Sequence, residues 1–284
     1  MVALRAVLSR GWRGAADESA YRQRAWAGAQ FFTSRWQHGG LTIVVKRFPG
    51  RPEIDPAAEP RTFVMVPGLG VSSRYFQPLA AELAWRGRVF LVDMPGYGAA
   101  PNPRRDVTLD DHASVLAAFL RESGIERPVL VGHSMGCEIV AIVAQRDPDV
   151  TDRIVLMDPT LEPQARTRAA AIGRLLRDSL RETPVVVGIA ATDYLIRSWP
   201  PYLFAQLRHM LADRLEDRMR DLSAPVLVIT GDRDPVARVG WAETLAAEAP
   251  DAEFRIVRGP HVIMHTDPAM IARHVVAFTD SVRT

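Results

Sequence analysis

The stretch "PVLVGHSMGCEIV", Pro128 to Val140, decides the fold. Its first residues are an apolar, β-branched run that reads as a strand, and Met135 to Gln145 reads as a helix. Between them, Gly132-His133-Ser134-Met135-Gly136 matches G-x-S-x-G. A serine in so abrupt a strand-to-helix turn needs neighbours without bulky side chains, because the backbone is crowded and strained there. The turn lifts the hydroxyl above the sheet. The helix that follows presents free N–H groups, which favour developing negative charge. Ser134 is therefore the candidate nucleophile.

Working outward, "VFLVD" (Val89 to Asp93), "RIVLMD" (Arg153 to Asp158) and "PVLVITG" (Pro225 to Gly231) are also nearly continuous apolar runs. Strands covered on both faces look like this. "LTIVVKRF" (Leu41 to Phe48), "RTFVMVPG" and "EFRIVRG" (Glu253 to Gly259) add strands. Helical stretches separate them: Tyr75 to Trp85, "TLDDHASVLAAFLRESG", Val236 to Glu248 and the tail from Pro268. Thr108 with Asp111 three residues on reads as an N-cap, and Gly124 as a stop. The alternation predicts an α/β fold: a mostly parallel central sheet with helices on both faces. Leu161 to Leu222 holds no convincing strand and reads as a helical cap. The expected organisation is a helical or irregular N-terminal extension over residues 1–40, a core of residues 41–160 and 223–284, and a cap of residues 161–222.

The 284 residues are 48% hydrophobic and 24% charged, with 35 Lys and Arg against 33 Asp and Glu. That is an ordinary globular mix, long enough for one large domain. No basic run argues for nucleic acid. The single cysteine, Cys137, excludes an internal disulfide and fits a reducing, cytoplasmic setting; it reads as a small buried helix residue. No window approaches a membrane span. Arg5 and Arg10 interrupt any signal-peptide core, while Leu4, Val7, Leu8 and Trp12 share a helical face that leaves peripheral membrane contact open. Nothing marks a metal or cofactor site, and the oligomeric state is open.

With these elements in order, the chain resembles the α/β-hydrolase superfamily, in its cap-bearing, esterase-like branch of serine hydrolases. The resemblance runs from about Leu41 to the C-terminus. It rests on the elbow together with "VPGLG" (Val66 to Gly70), "DMPGYG" (Asp93 to Gly98), "GDRDPV" (Gly231 to Val236) and "GPHVIMHTDP" (Gly259 to Pro268). It implies the triad order Ser134, Asp234, His261. His261 would serve as base and Asp234 would fix its tautomer, with Asp232 and Asp158 as alternative acids. It also implies an oxyanion hole from the backbone N–H groups of Leu69 and Met135. Pro67 stands where many members carry histidine. His265 lies close to His261 and is not expected to complete a metal site, and His133 is expected to be structural. Trp199, Tyr202 and Phe204 in the insertion are candidate pocket residues for a small apolar, ester-like substrate.

The implied reaction is hydrolysis of carboxylic esters through an acyl-enzyme. Carbon–carbon, thioester or lactone cleavage and cofactor-free perhydrolase chemistry would use the same triad. A non-catalytic ligand-binding use of the fold is the alternative from another class, and a lipid hydrolase anchored by the N-terminus is a third reading.

Overall fold

The structure, a computed structural model, describes residues 22–26, 29–48 and 61–281. Among the described residues, nine strands form one sheet: β1 (Arg22–Trp26), β2 (Ala29–His38), β3 (Leu41–Phe48), β4 (Arg61–Val66), β5 (Gly87–Asp93), β6 (Val129–His133), β7 (Arg153–Met157), β8 (Val226–Gly231) and β9 (Ala252–Val257). Their spatial order is β1-β2-β3-β5-β4-β6-β7-β8-β9. The strands from β4 onward run parallel, and β1 to β3 join that block at one edge through antiparallel pairs.

The continuous apolar strands follow from cover on both faces. Helices α1 (Gln77–Leu83), α2 (Leu109–Glu122) and α3 (Met135–Arg146) precede β7; α8 (Val239–Glu248), α9 (Ile263–Thr266) and α10 (Pro268–Ser281) follow β8. Phe63 and Met65 of β4, with Val129 and Val131 of β6, enter one core with Leu79, Val275 and Phe278 of α1 and α10. Val64, Val66 and Leu130 enter the other, with Phe119, Ile139 and Leu245 of α2, α3 and α8. Successive residues of a strand point to opposite faces, so both sets must be apolar. Thr108 caps α2 as expected: its side chain accepts from Asp111 N, and the Asp111 carboxylate accepts from Thr108 N.

The helical expectation for residues 1–40 fails at 22–26 and 29–38, which are strands; residues 1–21 lie outside the described residues. The β2–β3 connection is Gly39-Gly40, both at positive φ (57° and 74°). Such a two-residue turn matches the right-handed twist of the strands. Ser34 and Trp36 are buried while Arg35 and Gln37 are exposed, a period of two.

Between β7 and β8 the chain forms α4 (Arg168–Ser179), α5 (Pro184–Thr192), a π-helical turn (Asp193–Arg197), α6 (Pro200–Ala212) and α7 (Leu215–Arg220), with no strand. The loops after β4, β6, β7, β8 and β9 gather at the carboxyl edge of the parallel strands, where an open α/β sheet forms its crevice.

Candidate active site

Ser134 sits between β6 and α3 with φ 51° and ψ −123°, a conformation costly for any residue with a side chain. The turn is held closed by close backbone approach. A Cβ on Gly136 would lie 2.2 Å from Val66 O, and one on Gly132 would lie 2.5 Å from Gly136 O. Both glycines are thus required by space. Ser134 N donates to Met157 O at 3.1 Å and Ser134 O accepts from Cys137 N at 2.9 Å, which fixes the turn to β7 and α3. Met135 is the first residue of α3, so its N–H has no acceptor within the helix. Cys137 is buried and free, and burial pushes its thiol pKa up.

His261 follows β9. Its Nδ1 lies 2.8 Å from Asp234 Oδ2, and both residues are buried. Asp234 Oδ1 accepts from Val236 N at 2.6 Å, which fixes the carboxylate. The imidazole Nε2 is buried with no hydrogen-bond partner among the described residues, and His261 lines the same cavity as Ser134. Burial disfavours the imidazolium, but the charge of Asp234 and its hydrogen bond outweigh it, and the pKa is raised. Asp232 is spent on Gly259 N at 2.9 Å and its side chain is half exposed. Asp158, after β7, is fully buried at φ 44°. Its Oδ1 accepts from Gly231 N and Thr230 Oγ1. Burial first, then the charge of Asp234, push its pKa well above the usual carboxylate value.

A hydrogen-bonded chain of defined polarity joins the loops after β4, β6 and β9. Gly68 N donates to Tyr75 Oη (2.7 Å), and Tyr75 Oη lies 2.9 Å from His133 Nδ1. His133 Nε2 lies 2.9 Å from the carbonyl of His261. A carbonyl only accepts, so Nε2 carries the proton, Nδ1 accepts, and Tyr75 donates. Burial, then the charge of His261, push the His133 pKa well below its usual value, so the ring stays neutral. Because Gly68 N is engaged, Leu69 N is the next amide of the loop. The Leu69 carbonyl accepts from Tyr194 Oη at 3.0 Å, and Ser72 N and Oγ both donate to the buried carboxylate of Asp193.

The insertion also reaches the histidine loop. Asp178 Oδ1 accepts from His261 N (3.1 Å), and Glu182 Oε1 accepts from Val262 N (2.7 Å). Glu182 Oε2 is buried without a partner. Burial, then the charge of Asp178, push the Glu182 pKa up to about 7, and burial raises Asp178 as well. Neither acid was among the sequence candidates. Their signal is that "RDSLRE" sets acids at the carboxyl end of α4, against the helix dipole. Tyr75 and Asp193 carry no comparable sequence signal.

The cavity has a volume of about 100 Å³. Its walls are mainly apolar: Leu69, Val71, Leu175, Val186, Ile189 and Met210 are examples. Asp178 and Glu182 are in the wall, and among the described residues no lysine or arginine is. The aromatic residues expected in the pocket are elsewhere. Trp199 and Phe204 are exposed, and Tyr202 is buried with its hydroxyl on Pro95 O (2.8 Å); none lines the cavity. Helix α6 turns Tyr202 onto the loop after β5 and its neighbours outward. Among the described residues, one group has metal-ligand atoms close together: His133, Asp158 and His261, within 4.8 Å. Both nitrogens of His133 and Nδ1 of His261 are already engaged, so this donor set does not suit a metal.

A family model described as "alpha/beta hydrolase fold" matches residues 61–185. The chain is 24% identical over 239 residues to 2-(acetamidomethylene)succinate hydrolase of Mesorhizobium japonicum, covering 75% of this chain and 86% of that one. It is 22% identical to a putative carbamate hydrolase RutD of Caulobacter segnis, over 79% of this chain and 93% of that one. Among solved structures, the enol-lactonase of Burkholderia xenovorans superposes with a TM-score of 0.73 at 21% identity, covering 87% of this chain and 100% of that one.

Proposed function

We propose that this chain, which has the α/β-hydrolase fold and matches that fold's family model over residues 61–185, is a serine hydrolase cleaving carboxylic esters with an uncharged, mainly apolar acyl group. The observation that carries the reading is His261: Nδ1 on Asp234, Nε2 unpartnered, in one cavity with Ser134. Ser134 Oγ attacks the carbonyl carbon while His261 Nε2 takes its proton. The oxyanion is received by the N–H groups of Leu69 and Met135. Collapse expels the alkoxide, which takes the proton from His261 and leaves as the alcohol. Water then gives a proton to His261 and attacks the acyl-enzyme, and the acid departs as Ser134 recovers its proton. Asp234 holds the imidazole by Nδ1 and stabilises the imidazolium in each half.

The cavity wall supports the substrate class. By its name, the Mesorhizobium relative acts on a succinate, a dicarboxylate. Among the described residues the wall holds no lysine or arginine, so a dianionic acyl group would find no basic side chain there besides His261. The names of these two curated relatives give substrates that carry nitrogen on a carbonyl, an acetamido group and a carbamate, so amides and carbamates are the proper competitors.

The test is labelling with a fluorophosphonate, the adduct being located by mass spectrometry. Ser134 should be labelled, and Ser134→Ala should abolish labelling and turnover. A folded wild type that takes no label sinks the nucleophile assignment. Turnover of p-nitrophenyl esters should exceed that of matched carbamates and anilides, and the reverse ranking moves the protein to C–N cleavage. Asp234→Asn should lower kcat about 10³- to 10⁴-fold. Asp158→Asn, which keeps a neutral donor, should lower it less than about tenfold; the opposite pattern would make Asp158 the acid.

A further inference from the structure

Eight of the eleven large apolar side chains exposed among the described residues fall between Ile172 and Phe204, in the insertion. Several protrude almost fully: Leu180 is 87% exposed, Leu195 83% and Ile196 78%. They alternate with the residues that wall the cavity. Leu175 and Ser179 line it while Leu176 and Leu180 face out; Val186 and Tyr194 line it while Val185 and Leu195 face out. One surface therefore borders the candidate active site. Soluble monomers rarely leave so many contiguous apolar groups in water without a partner.

Charge narrows the partner. Between Arg168 and Arg197 every exposed charged residue is an arginine: Arg168, Arg177, Arg181 and Arg197. The acids of the same stretch are turned inward, Asp178 and Asp193 buried and Glu182 half-buried on the histidine loop. A second copy docking through the same face would set arginine against arginine. The first 21 residues carry Arg5, Arg10 and Arg13 against Asp17 and Glu18, so they too offer no complementary charge. The acidic segment of residues 49–60 leaves and rejoins the sheet at its far edge, Phe48 pairing with Val89 and Arg61 with Gly87 at the start of β5. Apolar groups interleaved with arginines match the boundary between lipid headgroups and acyl chains, where apolar burial and attraction to anionic headgroups act together.

We infer that this face of the insertion docks the protein on an anionic lipid surface, with the mouth of the Ser134 cavity toward the membrane. The docking goes beyond the ester hydrolysis proposed above and does not depend on it.

The test is co-sedimentation of the full chain with vesicles of phosphatidylcholine containing phosphatidylglycerol, against vesicles of phosphatidylcholine alone. The wild type should sediment with the anionic vesicles, and added salt should weaken binding. The double variants Leu195→Glu/Ile196→Glu and Leu176→Glu/Leu180→Glu should each bind at least about tenfold more weakly. These positions are exposed, so an unchanged thermal midpoint should accompany the loss. The inference is overturned by a wild type that ignores anionic vesicles, by equal binding to neutral ones, or by binding that survives both double variants. It is overturned as well if Leu4→Glu/Leu8→Glu alone removes binding, which would place the anchor at the N-terminus. A wild-type dimer split by the insertion variants, without vesicle binding, would make the face a contact between copies. Fluorophosphonate labelling of Ser134 in the same variants is a separate readout, so failure of docking and failure of the hydrolase reading are distinguishable.

Discussion

Around His261 four carboxyl groups converge: Asp234 on Nδ1, Asp158 beside Asp234, Asp178 on the backbone N–H and Glu182 on the next one. Such crowding is unfavourable unless some of the groups hold protons. Burial, ahead of the neighbouring charges, raises Asp158, Asp178 and Glu182. Any charge left in the cluster stabilises the imidazolium, which must lose its proton before it can act as a base. Asp178→Asn and Glu182→Gln remove that charge but keep an acceptor for the loop. Each should move the acid limb of kcat/KM to lower pH, by roughly half to one pH unit. A pH–rate series decides it, and an unmoved limb would reduce both residues to loop supports. Ser134, Asp234 and His261 were legible in the sequence because each sits at a fixed offset from an apolar run. Asp178 and Glu182 were not, because their partners are backbone amides about eighty residues away.

At the scale of elements, strands and helices with one clear period were readable, while the first two strands were not. In "QFFTSRWQHGGL" the aromatic residues imitate the packing face of a helix, and the Gly-Gly turn is what identifies a hairpin. The aromatic patch of α6 misled in another way. Sequence marks "WPPYLF" as apolar, but only the rotation of the helix decides which side chains turn inward: Tyr202 is buried and Leu203 partly so, while Trp199 and Phe204 are exposed. The Tyr75–His133 chain links the loops after β4, β6 and β9. Tyr75→Phe leaves Gly68 N and His133 Nδ1 without their partner in a buried site, a cost of about 1–3 kcal/mol. The loss should appear in the thermal midpoint and as a lower kcat, with KM little changed, because the loop that carries Leu69 loses its hold on the turn at Ser134. Equal stability and equal kcat would show the chain to be incidental.

For the whole molecule, the antiparallel edge is joined to the parallel block by a buried charge pair. Lys46 Nζ of β3 lies 2.9 and 3.0 Å from the two oxygens of Asp93 at the end of β5, and Asp93 also accepts from Ser73 N and Ala99 N. Burial alone would raise the Asp93 pKa, but Lys46 and the Ser73 hydrogen bond outweigh it and hold it below the usual carboxylate value. A carboxylate with a depressed folded-state pKa stabilises the fold above its unfolded value of about 4. That contribution is lost as the pH falls through the folded value. Asp93→Asn should therefore cost about 3–5 kcal/mol at neutral pH, by leaving Lys46 buried without its counter-ion. It should also flatten the drop in urea midpoint between neutral and acid pH. A variant whose midpoint falls with acid as steeply as the wild type would place the acid lability elsewhere.

The insertion fastens at two ends: Asp193 and Tyr194 hold the loop that carries Leu69, and Asp178 and Glu182 hold the loop that carries His261. It is therefore not an interchangeable module. A chimaera that grafted the corresponding segment of a relative onto this core would change more than selectivity. Unless the donor brought equivalents of those four side chains, the graft would slacken the oxyanion loop and the histidine loop together. Divergence of the insertion is thus constrained from beneath while its outer face is free to vary.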